Sequence, residues 1–318
     1  MMFKLATVSS AGSQPFVALV IEDQAFALAP LYALFQNASG ARGSSRLAAA
    51  SMLDLLRNWS DSFAVLGDLA ALVTREGLDS PRWQTLRASI ASLHWHAPIP
   101  RPPGLFFAAV NYPRPGRPAR DPAAPHRPYL FEKSARCVIG PHDDIVKPDD
   151  FDDIDWEVEL ALVIGRGGRR IAPERAMDHV AGFMVANDIT CRGFRQKGEL
   201  PIPGPDWFGS KCHDTFAPLG PYLVPREFVK DCRNLRLTLK VNDQLRQDGN
   251  SRDMVFSPEE QIAHVSNQVM LEPGDVFATG TPEGFGMQSE SFLKVGDIVE
   301  AQIEGLGAQR NRLVARAG

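Results

Sequence analysis

The chain has little of several things that would assign it to a class at once. Only four cysteines occur in 318 residues, Cys137, Cys191, Cys212 and Cys232. No two of them have the C-x-x-C spacing of a zinc or redox site. They read as free thiols of a reducing compartment. No uninterrupted apolar run reaches the roughly 20 residues of a membrane span. The N-terminus, MMFKLATVSS, has no continuous apolar stretch of signal-peptide type, so a cytoplasmic location is expected. Long basic runs are missing too. Arg114–Arg120 and Arg166–Arg170 are broken by glycine and proline and read as solvated loops, not as a phosphate-backbone footprint. With a formal net charge of −4 and a pI near 6.0, neither nucleic acid nor a membrane is an expected partner.

What is present is an ordinary globular composition, 44% hydrophobic and 23% charged. The length suits a large domain with a smaller one and allows a substantial core. The proline-rich stretch Pro98–Pro103 is the first strong break. It divides an expected small α+β domain, residues 1–100, from a main body, residues 101–318. Short apolar runs in residues 3–30 read as a β meander. Arg46–Trp59 has helical spacing, and Leu66–Val73 starts another helix.

Beyond residue 100 the pattern turns to strands. Leu105–Val110, Val158–Ile164, Val180–Ala186, Leu235–Val241, Asp275–Thr279 and Asp297–Ile303 carry strand-like runs. Pro173–Val180 reads as a short helix. Ser257–Val269 reads as another, with Ser257 as N-cap, Pro258 at the first helical position and Glu260 as the capping-box acid. Six prolines between Pro113 and Pro128 force a loop of the kind used for lids and binding. Strand and helix do not alternate regularly, so a doubly wound sheet is excluded and a mainly β, α+β fold is expected.

One motif carries chemistry. In Trp156-Glu157-Val158-Glu159 the two glutamates lie two apart at the head of an apolar strand and so share a face. Their mutual repulsion is relieved by a hard cation such as Mg²⁺, Mn²⁺ or Ca²⁺. Asp188 ends the next apolar run and offers a third carboxylate. Three carboxylates leave positions open for water and substrate. The alternative is a solvent-facing strip of an antiparallel strand.

The surrounding segments favour the metal. DWEVELALVIGRGGRRI (155–171), HVAGFMVANDITCR (179–192), WFGSKCHDTFAPLGPYLV (207–224), LKVNDQLRQDGNSRDMVF (239–256), LEPGDVFATGTPEGFG (271–286) and LKVGDIVEAQIEGLG (293–307) follow one another in order. Together they resemble the fumarylacetoacetate hydrolase family over roughly residues 104–318. The resemblance implies a mixed β-sandwich roll, usually dimeric. It implies Mg²⁺ or Mn²⁺ held at Glu157, Glu159 and Asp188, with Ca²⁺ a substitute in crystals. It places Lys211 beside the metal as a catalytic group that polarises a carbonyl or enolate. Arg192, Gln196, Thr281 and Lys133 become substrate-binding candidates.

Two departures qualify it. Arg195 stands where the family usually has Gln, with Gln196 one residue later. The family's N-Y-x-x-H-x-x-E segment keeps Asn111-Tyr112 but has Pro115 and Pro118 where a water-activating His and Glu are expected. His126, with Asp121 as an orienting partner, is the substitute base in that loop. The leading expectation is a metal-dependent hydrolase cleaving a C–C bond of an acylpyruvate or β-diketo acid in aromatic catabolism. An oxo-acid decarboxylase, tautomerase or hydratase needs no such dyad and is the second. A non-catalytic metal- or ligand-binding descendant is the third.

Overall fold

The computed structural model describes residues 2–39, 51–113, 127–193 and 206–316. Lys4–Ser9, Phe16–Ile21 and Gln24–Ala27 form the expected meander, extended by Arg87–Ser89 and His94–His96 into a five-stranded antiparallel sheet. Helix Trp59–Glu76 packs on it through Leu66, Leu69, Ala70 and Val73, spaced three or four apart. A short helix, Met52–Leu56, precedes it, opened by a Ser51–Asp54 capping box. Helix Leu28–Ser39 begins where the sequence reads as the end of a strand run.

A six-stranded mixed sheet forms the middle of the molecule. Its order is Val224–Pro225, Val180–Asn187, Val158–Ile164, Val276–Ala278, Leu105–Ala109, Tyr129–Glu132. A five-stranded sheet follows, with Gln244–Asn250, Arg236–Val241, Ile298–Ile303, Gly307–Ala315 and Ile145–Lys147 side by side. The strand Val158–Ile164 is buried along its whole length. Ala161 and Val163 join the core that contains Leu5, Phe26, Leu66 and Trp83. Leu160 and Leu162 join the core built with Leu237, Leu239, Val299 and Ala301. Both faces of the sheet are therefore covered, which explains an apolar run with no polar alternation.

The mainly β, α+β expectation holds. Helix Pro258–Ser266 has the capping box read from sequence: Glu260 N–H donates to Ser257 Oγ at 3.3 Å, and Ser257 N–H to Glu260 Oε2 at 2.8 Å. No helix among the described residues is long and apolar enough to cross a membrane.

Candidate metal centre

The site lies at the ends of two adjacent strands. Glu157 directly precedes Val158–Ile164, Glu159 is its second residue, and Asp188 follows Val180–Asn187. The register sets Val158 opposite Asn187. Glu157 and Asp188 are thereby neighbours, and Asp188 N–H donates to the Glu157 carbonyl at 2.8 Å. One carboxylate oxygen from each of Glu157, Glu159 and Asp188 lies within 4.8 Å of the other two. All three side chains are buried, so the solvent-facing reading of the two glutamates does not hold.

Glu159 is aimed by glycine chemistry on the neighbouring strand end. The Gly280 N–H donates to Glu159 Oε2 at 2.7 Å. Gly280 has φ +95°, and a Cβ there would lie 2.8 Å from Asn111 Cβ, so only glycine brings this amide in. Glu159 Oε1 is buried without a hydrogen-bond partner. An orphaned buried carboxylate oxygen is costly, and a hard divalent cation removes that cost. An all-oxygen donor set suits Mg²⁺ or Mn²⁺ over softer metals. The residues thus fit the ion that the sequence implies.

Three buried cations surround the acids. Lys211 Nζ donates to Glu157 Oε2 at 2.9 Å and to Asp188 Oδ2. Arg192 donates through Nε to Asp155 Oδ2 at 2.8 Å and through its terminal nitrogen to Glu157 Oε1. Lys133 donates to Asp188 Oδ1 at 2.7 Å, to the Phe216 carbonyl at 2.7 Å and to the Ile189 carbonyl at 3.2 Å. These three acceptors use all three ammonium protons, and the Lys133 side chain has 0% exposure. The Lys133 ammonium thus holds Asp188 in place, with its donors committed to protein acceptors.

Among the described residues four acids, Asp155, Glu157, Glu159 and Asp188, face three bases, so full ionisation of this set leaves one excess negative charge. Burial pushes the Glu159 carboxyl well above its ordinary value, and Asp188 and Glu157 push it further. Burial also pushes Glu157 up, but Lys211 and Arg192 together pull it down to about 2. Burial depresses Lys211, and Asp188 and Glu157 more than compensate, so it stays an ammonium. Burial and the neighbouring acids thus favour the protonated form of Glu159 without metal. A divalent cation would replace that proton and leave the site one charge positive, ready for an anion.

This has a pH consequence. Once pH exceeds the ordinary glutamate range, the unfolded chain has lost the Glu159 proton while the folded protein keeps it. The contribution of Glu159 to the stability of the metal-free protein then falls as pH rises. Glu157 acts oppositely, but its contribution is lost only as pH falls toward about 2. Burial lowers His96, His142 and His213, which act in the opposite sense over the same range. The comparison is therefore with metal-free Glu159→Gln: relative to that variant the metal-free protein is expected to lose stability from about pH 5.5 to about pH 8. Thermal scans of both proteins check this; a stability difference that does not change with pH would contradict it.

A cavity of about 250 Å³ opens beside the centre, lined among others by Tyr112, Glu157, Arg192, Lys211, Thr281 and Phe285. Phe131 and Trp207, both at the cavity, stack with ring centroids 4.8 Å apart. Arg192 and Lys211 are thus brought both to the acids and to this cavity. Thr281 also reaches the cavity, but its hydroxyl donates to the Val158 carbonyl at 2.9 Å and accepts from Gln247 Nε2 at 2.8 Å. Its proton is committed to the protein. His126, Gln196 and Arg195, together with Asp121, Pro115 and Pro118, lie outside the described residues.

Sequence reasoning missed Asp155. It is fully buried and accepts from Trp156 N–H at 2.8 Å, from Met287 N–H at 3.0 Å, from Gly286 N–H and from Arg192. A signal existed, since Asp155, Glu157 and Glu159 repeat every second residue. Asp155→Asn is expected to leave Arg192 loosely held. Activity should then fall about 10–100-fold, the usual cost of removing an outer partner of a metal site. Steady-state kinetics alongside Mn²⁺ titration tests this, and unchanged kinetics would count against it.

Buried carboxylates on a β-roll, faced by fixed cations and a small cavity, define a class: enzymes that organise a divalent cation for an anionic ligand. The chain belongs to the fumarylacetoacetate hydrolase family, whose C-terminal domain model matches residues 105–314. It is 40% identical over 254 residues to the mitochondrial oxaloacetate tautomerase of Xenopus laevis, covering 79% of this chain and 77% of that one. It resembles the crystal structure of a probable 2-hydroxyhepta-2,4-diene-1,7-dioate isomerase from Mycobacterium abscessus, at 30% identity and TM-score 0.74 over the full length of both chains. It also resembles maleylpyruvate hydrolase from Sphingobium sp. SYK-6, solved with manganese(II) and pyruvate, at 26% identity and TM-score 0.72 over 99% of this chain and 100% of that one.

Proposed function

We propose that the protein is a divalent-metal-dependent enzyme of 2-oxo acids and that its reaction is keto–enol tautomerisation of a small 2-oxo dicarboxylate of the oxaloacetate type. The observation that carries this is Lys211. Its ammonium is fixed between Glu157 and Asp188 at the cavity wall, where it meets an oxygen gaining negative charge. In tautomerisation the C3–H bond of the substrate breaks, a C2=C3 bond forms, and the C2 carbonyl oxygen gains a proton. No other bond changes. The main requirement is a fixed positive field at the C2 oxygen, and preorganised charge in a dry site is the strongest way to supply it. A bound Mg²⁺ or Mn²⁺, held by Glu157, Glu159 and Asp188, would add Lewis-acid polarisation. Lys211 and Arg192 orient the anion, Asp155 keeps Arg192 aimed, and the Phe131–Trp207 wall limits water.

The tautomerase relative at 40% identity supports this reading. So do Pro115 and Pro118, which stand where hydrolysis calls for a His and a Glu. C–C hydrolysis of an acylpyruvate is the second reading, favoured by the likeness to maleylpyruvate hydrolase. It requires a base such as His126. Enol decay of oxaloacetate, followed by ultraviolet absorbance in parallel with pyruvate release from acylpyruvates, separates the two. His126→Ala is expected to leave tautomerisation within about 2-fold, whereas loss of general-base catalysis would cost about 10²-fold or more. The boundary near residue 100 belongs to the same proposal, because the first sheet closes with His94–His96 just before it. A homodimer is likewise proposed from the family, to be checked by sedimentation.

A further inference from the structure

Tautomerisation breaks a C–H bond, so some group at the cavity must take the proton. Among the described residues lining it, the carboxylates are Glu157 and Glu283. Glu157 is committed to Lys211 and Arg192. Tyr112 is a phenol, protonated at neutral pH. The Thr281 hydroxyl is already bonded as donor and as acceptor. Glu283 differs from all of these. Its side chain is exposed and has no hydrogen bond or ion pair among the described residues. It lies in the turn between strand Val276–Ala278 and the short helix Gly286–Ser289. That turn is fastened to the segment that carries the metal-binding glutamates. Gly280 N–H reaches Glu159, the Thr281 hydroxyl reaches the Val158 carbonyl, and Trp156 Nε1 donates to the Gly284 carbonyl at 3.1 Å. Gln247 bridges the two, its Nε2 donating to the Pro282 carbonyl at 2.8 Å while its Oε1 accepts from Val158 N–H at 3.0 Å. Gly284 N–H donates to Gln288 Oε1 at 2.6 Å. The backbone is thus fixed on both sides of Glu283 while its carboxylate is left free.

We propose that Glu283 is the catalytic base that takes the C3 proton, a role that rests on the tautomerase reading. A cavity of about 250 Å³ holds one small molecule, so Lys211, Arg192 and Glu283 on its wall meet the same ligand. With the C2 oxygen of the oxo acid against Lys211, the neighbouring C3 is the atom left for Glu283. A Glu283 carboxylate oxygen takes one proton from C3. The C–H electron pair becomes the C2=C3 bond, and the carbonyl pair moves onto the C2 oxygen beside Lys211. The carboxylic acid so formed returns the proton to that oxygen and is a carboxylate again. One proton moves from carbon to oxygen, and no oxidant, water or second substrate is consumed. Glu283 gives up no partner to act, whereas Glu157 would have to leave two cations. The reaction thereby has a base although Pro115 and Pro118 stand where a His and a Glu are expected.

The test compares the full chain with Glu283→Gln, both loaded with Mn²⁺, on two probes. Oxaloacetate reports keto–enol equilibration by ultraviolet absorbance. Pyruvate in D₂O reports proton removal from C3 by deuterium uptake, whether or not a dicarboxylate is the substrate. Glu283→Gln is expected to lower both rates at least about 10²-fold, the usual contribution of a general base, and Glu283→Asp to retain part of each. KM, Mn²⁺ affinity and melting temperature should stay near those of the unsubstituted chain, because the side chain is exposed and unbonded. An oxaloacetate rate unchanged in Glu283→Gln would overturn the role of Glu283 and leave the tautomerase reading standing. A fall in rate matched by a fall in Mn²⁺ affinity would make Glu283 a group that supports the metal and overturn its role as base. An unsubstituted chain inactive on oxaloacetate, but with pyruvate exchange that Glu283→Gln loses, would overturn the tautomerase reading and keep the base. An unsubstituted chain that does neither overturns both.

Discussion

Glu159→Ala is expected to abolish tight Mn²⁺ binding and to lower the tautomerisation rate by about 10³-fold, the cost of several kcal/mol of lost charge stabilisation. Glu159 contrasts with its neighbours. Glu157 and Asp188 are each committed to fixed cations, Arg192 and Lys211 for the first, Lys133 and Lys211 for the second. Glu159 has only the Gly280 N–H on one oxygen and no partner on the other. Removing it therefore breaks no ion pair, and it relieves a carboxyl that is strained without metal. The metal-free variant should be as stable as the unsubstituted protein, or more so, while losing the stabilisation that Mn²⁺ provides. Calorimetric Mn²⁺ titration with thermal scans reads both effects. Retained Mn²⁺ affinity would show that the ion is held elsewhere.

Lys211→Met should act in the opposite way. The substitution preserves much of the side-chain volume but leaves two buried carboxylates without a shared cation. Stripping one partner from a buried pair costs about 3–5 kcal/mol. For a chain of this size that is a fall of roughly 10 °C in melting temperature without metal. Saturating Mn²⁺ supplies positive charge to the same oxygens and should recover most of that loss. Activity should not recover, because the ammonium at the cavity wall is gone; a kcat reduced about 10²–10³-fold at saturating Mn²⁺ is expected. A variant restored in both stability and kcat by Mn²⁺ would make Lys211 merely structural.

The legible parts of the sequence were those where local pattern and tertiary setting agree. The run from Val158 to Ile164 announced an apolar strand, and the two-residue spacing set Glu157 and Glu159 on one side. Ser257, Pro258 and Glu260 announced a helix start through chemistry contained in four residues. Strand Gly307–Ala315 was not read, because its inward positions include Gln309 and Asn311. Their amide nitrogens find acceptors deep inside, Gln309 Nε2 in the carbonyls of Val185, Pro218 and Gly220 and Asn311 Nδ2 in those of Gly140 and Asp143. No periodicity of apolar residues can reveal such a strand. The setting of Lys133 was hidden for a related reason. A lysine reads as a surface or substrate group until three acceptors more than 50 residues away are seen to close around it. Asp155 was overlooked because its partners, Arg192 and the amides of Gly286 and Met287, come together only in the fold.

The most direct test follows the keto–enol equilibration of oxaloacetate with purified protein, with Mn²⁺ and then with chelator, measuring pyruvate in the same sample. The account predicts equilibration well above the spontaneous rate, lost on chelation, restored by Mn²⁺, absent in Glu159→Ala, and without matching pyruvate release. Equilibration no faster than in buffer, by a protein that binds Mn²⁺ and cleaves an acylpyruvate, would contradict it.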